Sequence, residues 1–281
     1  MSRQMMMATT LDELATARSL LSAPVGLVPT MGYLHDGHLS LAKRAREECK
    51  SVVASIFVNP TQFGPNEDLA KYPRDLERDL GLLEAVGTDL VWTPTPEIMY
   101  PSGYQTWVEV QDASRPLEGA QRPGHFRGVT TVVSKLFNAV RPAKAYFGQK
   151  DAQQAVVIRQ MALDLNFPIE IVVCPIVREP DGLAMSSRNV YLSPEERKAA
   201  TVLNRALRAA QAAYQEGERG AGALRNILKE TLTSEPLAQT QYVSCADYDT
   251  LQELEHVTGK TLLSMAVAFG KTRLIDNVVL E

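Results

Sequence analysis

The 281-residue sequence predicts an α/β fold in which a parallel sheet carries helices on both faces and a smaller α+β region follows. Three observations predict it. Up to Ile176, short continuous apolar and β-branched runs alternate with helical patterns, as strands buried on both faces require. Beyond that point the order changes to helices followed by closely spaced strands. The composition, 45% apolar and 22% charged, is that of a globular chain with enough residues for a large core.

Taken in order, Met5, Met6 and Met7 with Met1 read as a frayed terminus. Thr10-Leu11-Asp12-Glu13 has capping-box spacing and opens a short helix. Strands are expected over 25–28, 51–58, 88–93, 143–147 and 169–176. Helices are expected over 39–49, 74–86 (stopped by Gly87), 129–140 and 152–165. Right-handed crossovers between such strands place ligands at their carboxyl ends. The stretch 94–123, rich in Pro, Gly and aromatics, reads as an excursion over the site with one strand at 106–110. Residues 177–189 read as a polar, mobile loop. Ser193-Pro194-Glu195-Glu196 then starts a long Ala-rich helix to about Tyr214. A second helix over 221–233 and strands over 241–246, 262–269 and 272–279 complete the chain. The sequence therefore divides into domains 1–177 and 178–281.

The bulk properties exclude several classes. A net charge of −4 speaks against a general nucleic-acid binder. No apolar run approaches the ~18 residues of a membrane span, and the first ten residues lack a signal pattern. Cys49, Cys174 and Cys245 are odd in number and widely spaced, as buried thiols of a cytoplasmic protein would be.

His35-Asp36-Gly37-His38 is the most informative string. It follows the expected strand and the bend Pro29-Thr30-Met31-Gly32, and it precedes a helix. Free backbone N–H groups and the positive helix end favour a phosphate there. Gly37 lets the backbone approach an anion, and both imidazoles can donate to it. A metal site would need a third ligand beyond the pair, and Asp36 lies between them; a chance surface turn is the other alternative.

Three further clusters follow expected strands or the domain junction. Asn59 and Gln62, in Val58-Asn59-Pro60-Thr61-Gln62-Phe63-Gly64-Pro65, offer amides to a small polar substrate, or form only a Pro-bracketed turn. In Gly148-Gln149-Lys150-Asp151, Lys150 can reach phosphate and Asp151 a ribose hydroxyl or a metal ion, although Asp151 and Gln154 also have capping-box spacing. Met185-Ser186-Ser187-Arg188 supplies two hydroxyls and a guanidinium suited to a triphosphate. Arg122, His125 and Arg127 sit in a segment that either closes over an anion or is a basic loop in water. His256 reads as a solvent-side residue.

The pairing of His35–His38 with Met185–Arg188 resembles the HIGH and KMSKS signatures of the class I synthetase and nucleotidyltransferase superfamily. The strings PTMGYLHDGHLSL (29–41), VNPTQFGPNEDLAKYPRDLERD (58–79), RPGHFRGVTTVVSKLFNAVRP (122–142), YFGQKDAQQ (146–154), LAMSSRNVYLS (183–193) and GKTRLIDN (270–277) together resemble the pantothenate synthetase (pantoate–β-alanine ligase) family, from about residue 22 to the end. Six ordered motifs are specific. The resemblance implies a Rossmann-like first domain, ATP as co-substrate with Mg2+, and (R)-pantoate and β-alanine as substrates. It also implies a pantoyl-adenylate intermediate, a homodimer, and no nucleic-acid or membrane partner. It implies that His38 is the central catalytic group, with His35, Lys150 and Arg188 assisting. ATP would be lined by Met31, Gly32, Tyr33, Leu34, His35, Asp36, Gly37, His38, Gly148, Gln149, Lys150, Asp151, Val177, Met185, Ser186, Ser187 and Arg188. Pantoate and β-alanine would meet Gln62, Gln154 and the neighbouring Asn59. Gln149 departs from a common Glu and Ala152 from a frequent Tyr. The rivals are another HIGH-motif nucleotidyltransferase, which would keep the nucleotide in its product, and an inactive nucleotide-binding regulator.

Overall fold

Continuous apolar runs in the first part of the chain become a six-stranded, all-parallel sheet in the computed structural model, which describes residues 4–64, 67 and 69–281. The strands are β1 (Met6–Ala8), β2 (Val25–Thr30), β3 (Ser51–Ile56), β4 (Leu90–Trp92), β5 (Lys144–Gly148) and β6 (Glu170–Cys174), in spatial order β1-β4-β3-β2-β5-β6. Successive side chains of a strand point to opposite faces. Leu27, Val28, Val53 and Ala54 are all fully buried, so the sheet is covered on both faces. The helices of this part are α1 (Leu11–Ser19), α2 (Asp36–Glu48), α3 (Leu76–Ala85), α4 (Pro96–Met99), α5 (Glu118–Gln121), α6 (His125–Val140) and α7 (Ala152–Asp164). Strand order reverses beside β2, whose neighbours are β3 and β5. That reversal opens a crevice at the carboxyl ends of those strands.

The later part is helical and then antiparallel. It contains α8 (Pro194–Ala199), α9 (Val202–Gln215), α10 (Ala221–Thr233) and a meander of β7 (Ala238–Asp247), β8 (Thr261–Phe269) and β9 (Thr272–Leu280). Leu203, Leu207, Leu224 and Leu228 of the helices and Leu263, Met265 and Leu274 of the sheet form one buried core. Chain contacts divide the molecule into two compact units, Met1–Gly148 with Val157–Pro175, and Gln149–Val156 with Ile176–Glu281.

Four local expectations are corrected. Met6 and Met7 are not frayed: they lie in β1, an edge strand paired in parallel with β4. Met1 lies outside the described residues, as do Pro65, Asn66 and Asp68 of the second motif. Residues 106–110 form no strand, because two helix hydroxyls take the place of a neighbouring strand. Thr131 accepts from the Val108 N–H (3.0 Å) and Thr130 donates to the Val108 carbonyl (2.6 Å). The long helix from Ser193 breaks at Ala200–Thr201 into α8 and α9. There Thr201 Oγ1 donates to the Lys198 carbonyl (2.8 Å), a side-chain bond that competes with the helical ladder. Finally, α2 and α6 begin three and four residues earlier than expected, at Asp36 and His125, because His35 and Gly124 cap them.

Candidate active site

The turn from β2 to α2 begins with two consecutive left-handed residues, Gly32 (φ 82°) and Tyr33 (φ 49°). Glycine adopts this conformation freely, whereas tyrosine needs support from its surroundings. Asp79 on α3 supplies it. Its carboxylate accepts the N–H of Tyr33 (2.6 Å) and of Leu34 (2.8 Å). Asp79 is 1% exposed, and burial pushes its carboxyl above the ordinary value, against the pull of these two N–H groups and of Arg78. The Arg78 guanidinium also lies 5.5 Å from the centre of the Tyr33 ring. The sequence reading missed Asp79. Its one signal is an acid four residues before the buried Leu83, on the inward face of α3.

His35 is the N-cap of α2. Its Nδ1 accepts the Gly37 N–H (3.2 Å), and the Nδ1 of His38 accepts the His35 N–H (3.3 Å). The two imidazoles thus form a capping box of a kind usually built by Ser and Glu, with ring centres 4.1 Å apart. Because both Nδ1 atoms accept, the proton of each neutral ring belongs on Nε2. The expected open helix end is therefore partly closed: the ring of His35 takes the Gly37 N–H, and the His35 carbonyl takes the His38 N–H at 2.8 Å.

The second cluster follows β3. Asn59 is 1% exposed and caps a 3-10 turn, Pro60–Gln62. Its Oδ1 accepts from the Thr61 hydroxyl (2.9 Å) and the Tyr100 hydroxyl (2.9 Å), and its Nδ2 donates to the Gly128 carbonyl (3.1 Å). Only glycine fits at 128, since a Cβ would stand 2.3 Å from the Thr61 carbonyl oxygen. The Gln62 carbonyl accepts from His125 Nδ1 (2.9 Å) and Arg122 Nη2 (3.2 Å). Arg122 also grips Glu67 with two parallel bonds (2.8 and 2.7 Å) and donates to His125 Nε2 (3.2 Å). Burial and the neighbouring guanidinium lower His125 to about 4, so it stays neutral at pH 7. Of the two sequence expectations for this segment, the solvated basic loop does not hold, because Arg122 is paired with Glu67 and Arg127 lies 5.0 Å from the Trp107 ring. The cavity here is about 580 Å³ and is lined by Gln62, Phe63, Glu67, Trp107, Arg122 and Arg127 among others.

In the second unit, Gln149–Asp151 form a 3-10 turn leading into α7, with Gln154 in the first turn of that helix. Lys150 Nζ lies 3.8 Å from Asp151, whose side chain is 48% exposed. The segment 177–189 is held as a tight loop rather than left open: Met185 N–H bonds the Val177 carbonyl (3.0 Å), Arg178 and Ala184 form an antiparallel bridge, and Asn189 bonds Glu179 (3.1 Å) and the Ala184 carbonyl (3.1 Å). Ser186 caps the following turn by accepting the Arg188 N–H (3.2 Å), and Ser187 is buried. Among the described residues, no three His, Cys, Asp or Glu side chains gather as a metal site, and no helix is long and apolar enough to cross a membrane. All three cysteines are free and buried, and His256 is exposed.

With this geometry in place, comparison with known proteins is informative. The sequence profile of the family described as Pantoate-beta-alanine ligase matches residues 5–279. A pantothenate synthetase of Roseiflexus sp. (strain RS-1) is 64% identical over 277 residues, which is 99% of this chain and 100% of the relative. A pantothenate synthetase of Thermus thermophilus superposes with a TM-score of 0.94 at 49% identity, covering 98% of this chain and 99% of that one. A pantoate-beta-alanine ligase of Francisella tularensis, solved in complex with beta-gamma ATP and beta-alanine, superposes with a TM-score of 0.81 at 36% identity, over 98% of both chains.

Proposed function

We propose a mechanism from one premise: this chain belongs to the pantoate–β-alanine ligase family. It is a ligase that uses ATP to join pantoate to β-alanine in pantothenate biosynthesis. In the first step an oxygen of the (R)-pantoate carboxylate attacks the α-phosphorus of ATP and pyrophosphate leaves. This gives a pantoyl adenylate. In the second step the amine of β-alanine attacks the acyl carbon, loses a proton, and expels AMP. A carboxylate is a poor electrophile, and adenylation provides its leaving group.

No protein nucleophile is needed, so the residues position, stabilise charge and exclude water. His38 is the central catalytic group and His35 its partner, donating Nε2–H to the α-phosphate as charge gathers there. Lys150 and Arg188 neutralise phosphate charge as pyrophosphate departs. Met31 to His38, Gly148 to Asp151, Val177 and Met185 to Arg188 are the ATP residues. Gln62 and Gln154 hold the acid. Asn59, with its amide already engaged by Gly128, Thr61 and Tyr100, serves by anchoring the turn that carries Gln62. Mg2+ would accompany ATP and supply charge neutralisation at the phosphates. Asp151 is the carboxylate beside Lys150 available to it. The enzyme acts in the cytoplasm as a homodimer, with a Rossmann-like domain over 1–177 and a smaller one over 178–281.

The observation that supports this reading is the imidazole pair at the carboxyl end of β2, built into the N-cap of α2 with both Nδ1 atoms accepting backbone N–H groups. Pantoate-dependent exchange of labelled pyrophosphate into ATP, without β-alanine, tests it. Exchange is expected. Exchange that appears only with β-alanine present would rule out a separate adenylate step, and product that retains the nucleotide would favour the rival nucleotidyltransferase.

A further inference from the structure

The motif at 270–277 has no part in the scheme above, yet it contains two of the most buried polar residues in the protein. Asp276 is 1% exposed and Asn277 3%. Both lie on β9, within the second unit, and they face opposite sides of the strand.

Asn277 is fully used. Its Nδ2 donates to the carbonyls of Gln149 and Lys150, both at 3.0 Å, and its Oδ1 accepts from Gln149 Nε2 at 2.9 Å. Gln149 Oε1 in turn accepts from the Tyr248 hydroxyl at 3.1 Å. One amide thus holds both the backbone and a side chain of the turn that presents Lys150. An amide has two donors and one acceptor oxygen, and no other side chain of this size offers the same set.

Asp276 holds a different segment. Its carboxylate, with no exposed side-chain surface, receives Arg178 Nη1 at 2.6 Å and Nη2 at 2.9 Å. Arg178 Nη1 also donates to the Gly182 carbonyl at 3.0 Å. Arg178 opens the loop whose other side is Ala184-Met185-Ser186-Ser187-Arg188. The Asn277 N–H completes the set by donating to Asp276 Oδ1 at 2.8 Å.

We propose that Asp276 and Asn277 are positioning residues for ATP activation, a single anchor on β9 that sets the Lys150 turn through Asn277 and the Met185–Arg188 loop through Arg178. The proposal rests on the ATP roles assigned above to Lys150 and Arg188. Fixing the Lys150 turn by two backbone bonds to Asn277, and the loop through the Arg178 fork on Asp276, limits the freedom of the side chains they carry, and misplacement of such groups is costly to the chemical step.

The test is pantoate-dependent ATP–pyrophosphate exchange by the full-length protein carrying Asn277→Ala, Lys150→Ala, or both, with thermal unfolding measured alongside. Asn277→Ala should lower exchange about 10- to 100-fold. The double variant should be no slower than Lys150→Ala alone, because Asn277 acts through the lysine. Leu274→Ala, a core truncation on the same strand, should lose stability and keep wild-type exchange below its melting temperature. If Asn277→Ala does not fold, Arg178→Lys carries the test: it keeps the charge but loses the fork, and its loss should be non-additive with Arg188→Ala. Wild-type exchange by a folded Asn277→Ala, losses that multiply in the double variant, or an equal loss in Leu274→Ala would each overturn the proposal. A Lys150→Ala variant that exchanges normally would overturn it together with the ATP reading, whereas loss in Lys150→Ala alone would overturn it and leave that reading standing.

Discussion

The two units hold the groups proposed to handle phosphate in opposite ways. In the first, His35 and His38 are organised locally: the His35 ring takes the Gly37 N–H and the His38 ring takes the His35 N–H at the start of α2. In the second, the Lys150 turn and the 185–188 loop are shaped from a distance, by Asn277 across 127 and 128 positions and by Asp276 across 98. A local cap forms as soon as the helix forms. A distant clamp exists only once β9 is in its sheet. One half of the proposed site is thus encoded by spacing and the other by assembly.

The largest expected effect breaks the local half. His38→Ala should lower turnover by about 10²- to 10³-fold, the loss typical of one donor to a developing oxyanion, while the fold survives. His38→Asn sharpens this, since its amide oxygen can still cap the His35 N–H while the outer donor is gone. It should be as inactive as His38→Ala but more stable in thermal unfolding. Near wild-type turnover in either variant would remove His38 from the mechanism.

A smaller effect separates acid binding from nucleotide binding. Gln62→Ala should raise the apparent KM for pantoate roughly tenfold, the value of a hydrogen bond to a charged group, with little change for ATP. Equal changes in both constants would count against its assignment.

Asp79→Asn probes a long-range support that the local half does use. An amide can accept only one of the two N–H groups at Tyr33 and Leu34 and turns a donor toward the other. A loss of about 1–3 kcal/mol is expected in denaturant unfolding, with a fall in exchange activity. A variant as stable as wild type would mean that the Gly32–Tyr33 turn holds itself.

A separate effect is a pH dependence. His125 is held near 4 when folded, against an ordinary 6.5. Between these values the unfolded chain binds a proton that the folded protein does not. The contribution is therefore intact above about pH 6.5 and is lost as pH falls toward 4, by on the order of 2–3 kcal/mol. His125→Gln should flatten the stability profile across that window. An unchanged slope would assign the titration to another group.

Much of the fold was legible because it is periodic. Eight of the nine strands among the described residues coincide with expected apolar runs, and α1 starts at the capping box read from Thr10 and Glu13. The miss at Met6–Ala8 has a plain cause: three residues carry too little pattern to betray an edge strand. The 106–110 run has the right residues for a strand but is bonded instead to Thr130 and Thr131 of α6. In the site, Gly148 to Asp151 and Met185 to Arg188 were visible as candidate strings, whereas Asp79, Glu67, Asp276 and Asn277 were not picked out. Those four act on backbone groups or arginines far away in the chain, and charge and spacing do not reveal such partners.

By itself, the sequence determined the alternation of strands and helices, the capped start of α1, and the presence of two histidines three residues apart at a strand-to-helix turn. These depend on interactions within a few residues, which composition and period encode directly. Tertiary structure alone decided which side chains are spent on the protein itself. It placed Asp79 behind the histidine turn, closed Arg122 onto Glu67, committed the Asn59 amide to Gly128, Thr61 and Tyr100, and set Asp276 and Asn277 beneath the two segments of the second unit. The physical reason is that a buried polar group must find a partner wherever the fold brings one within reach.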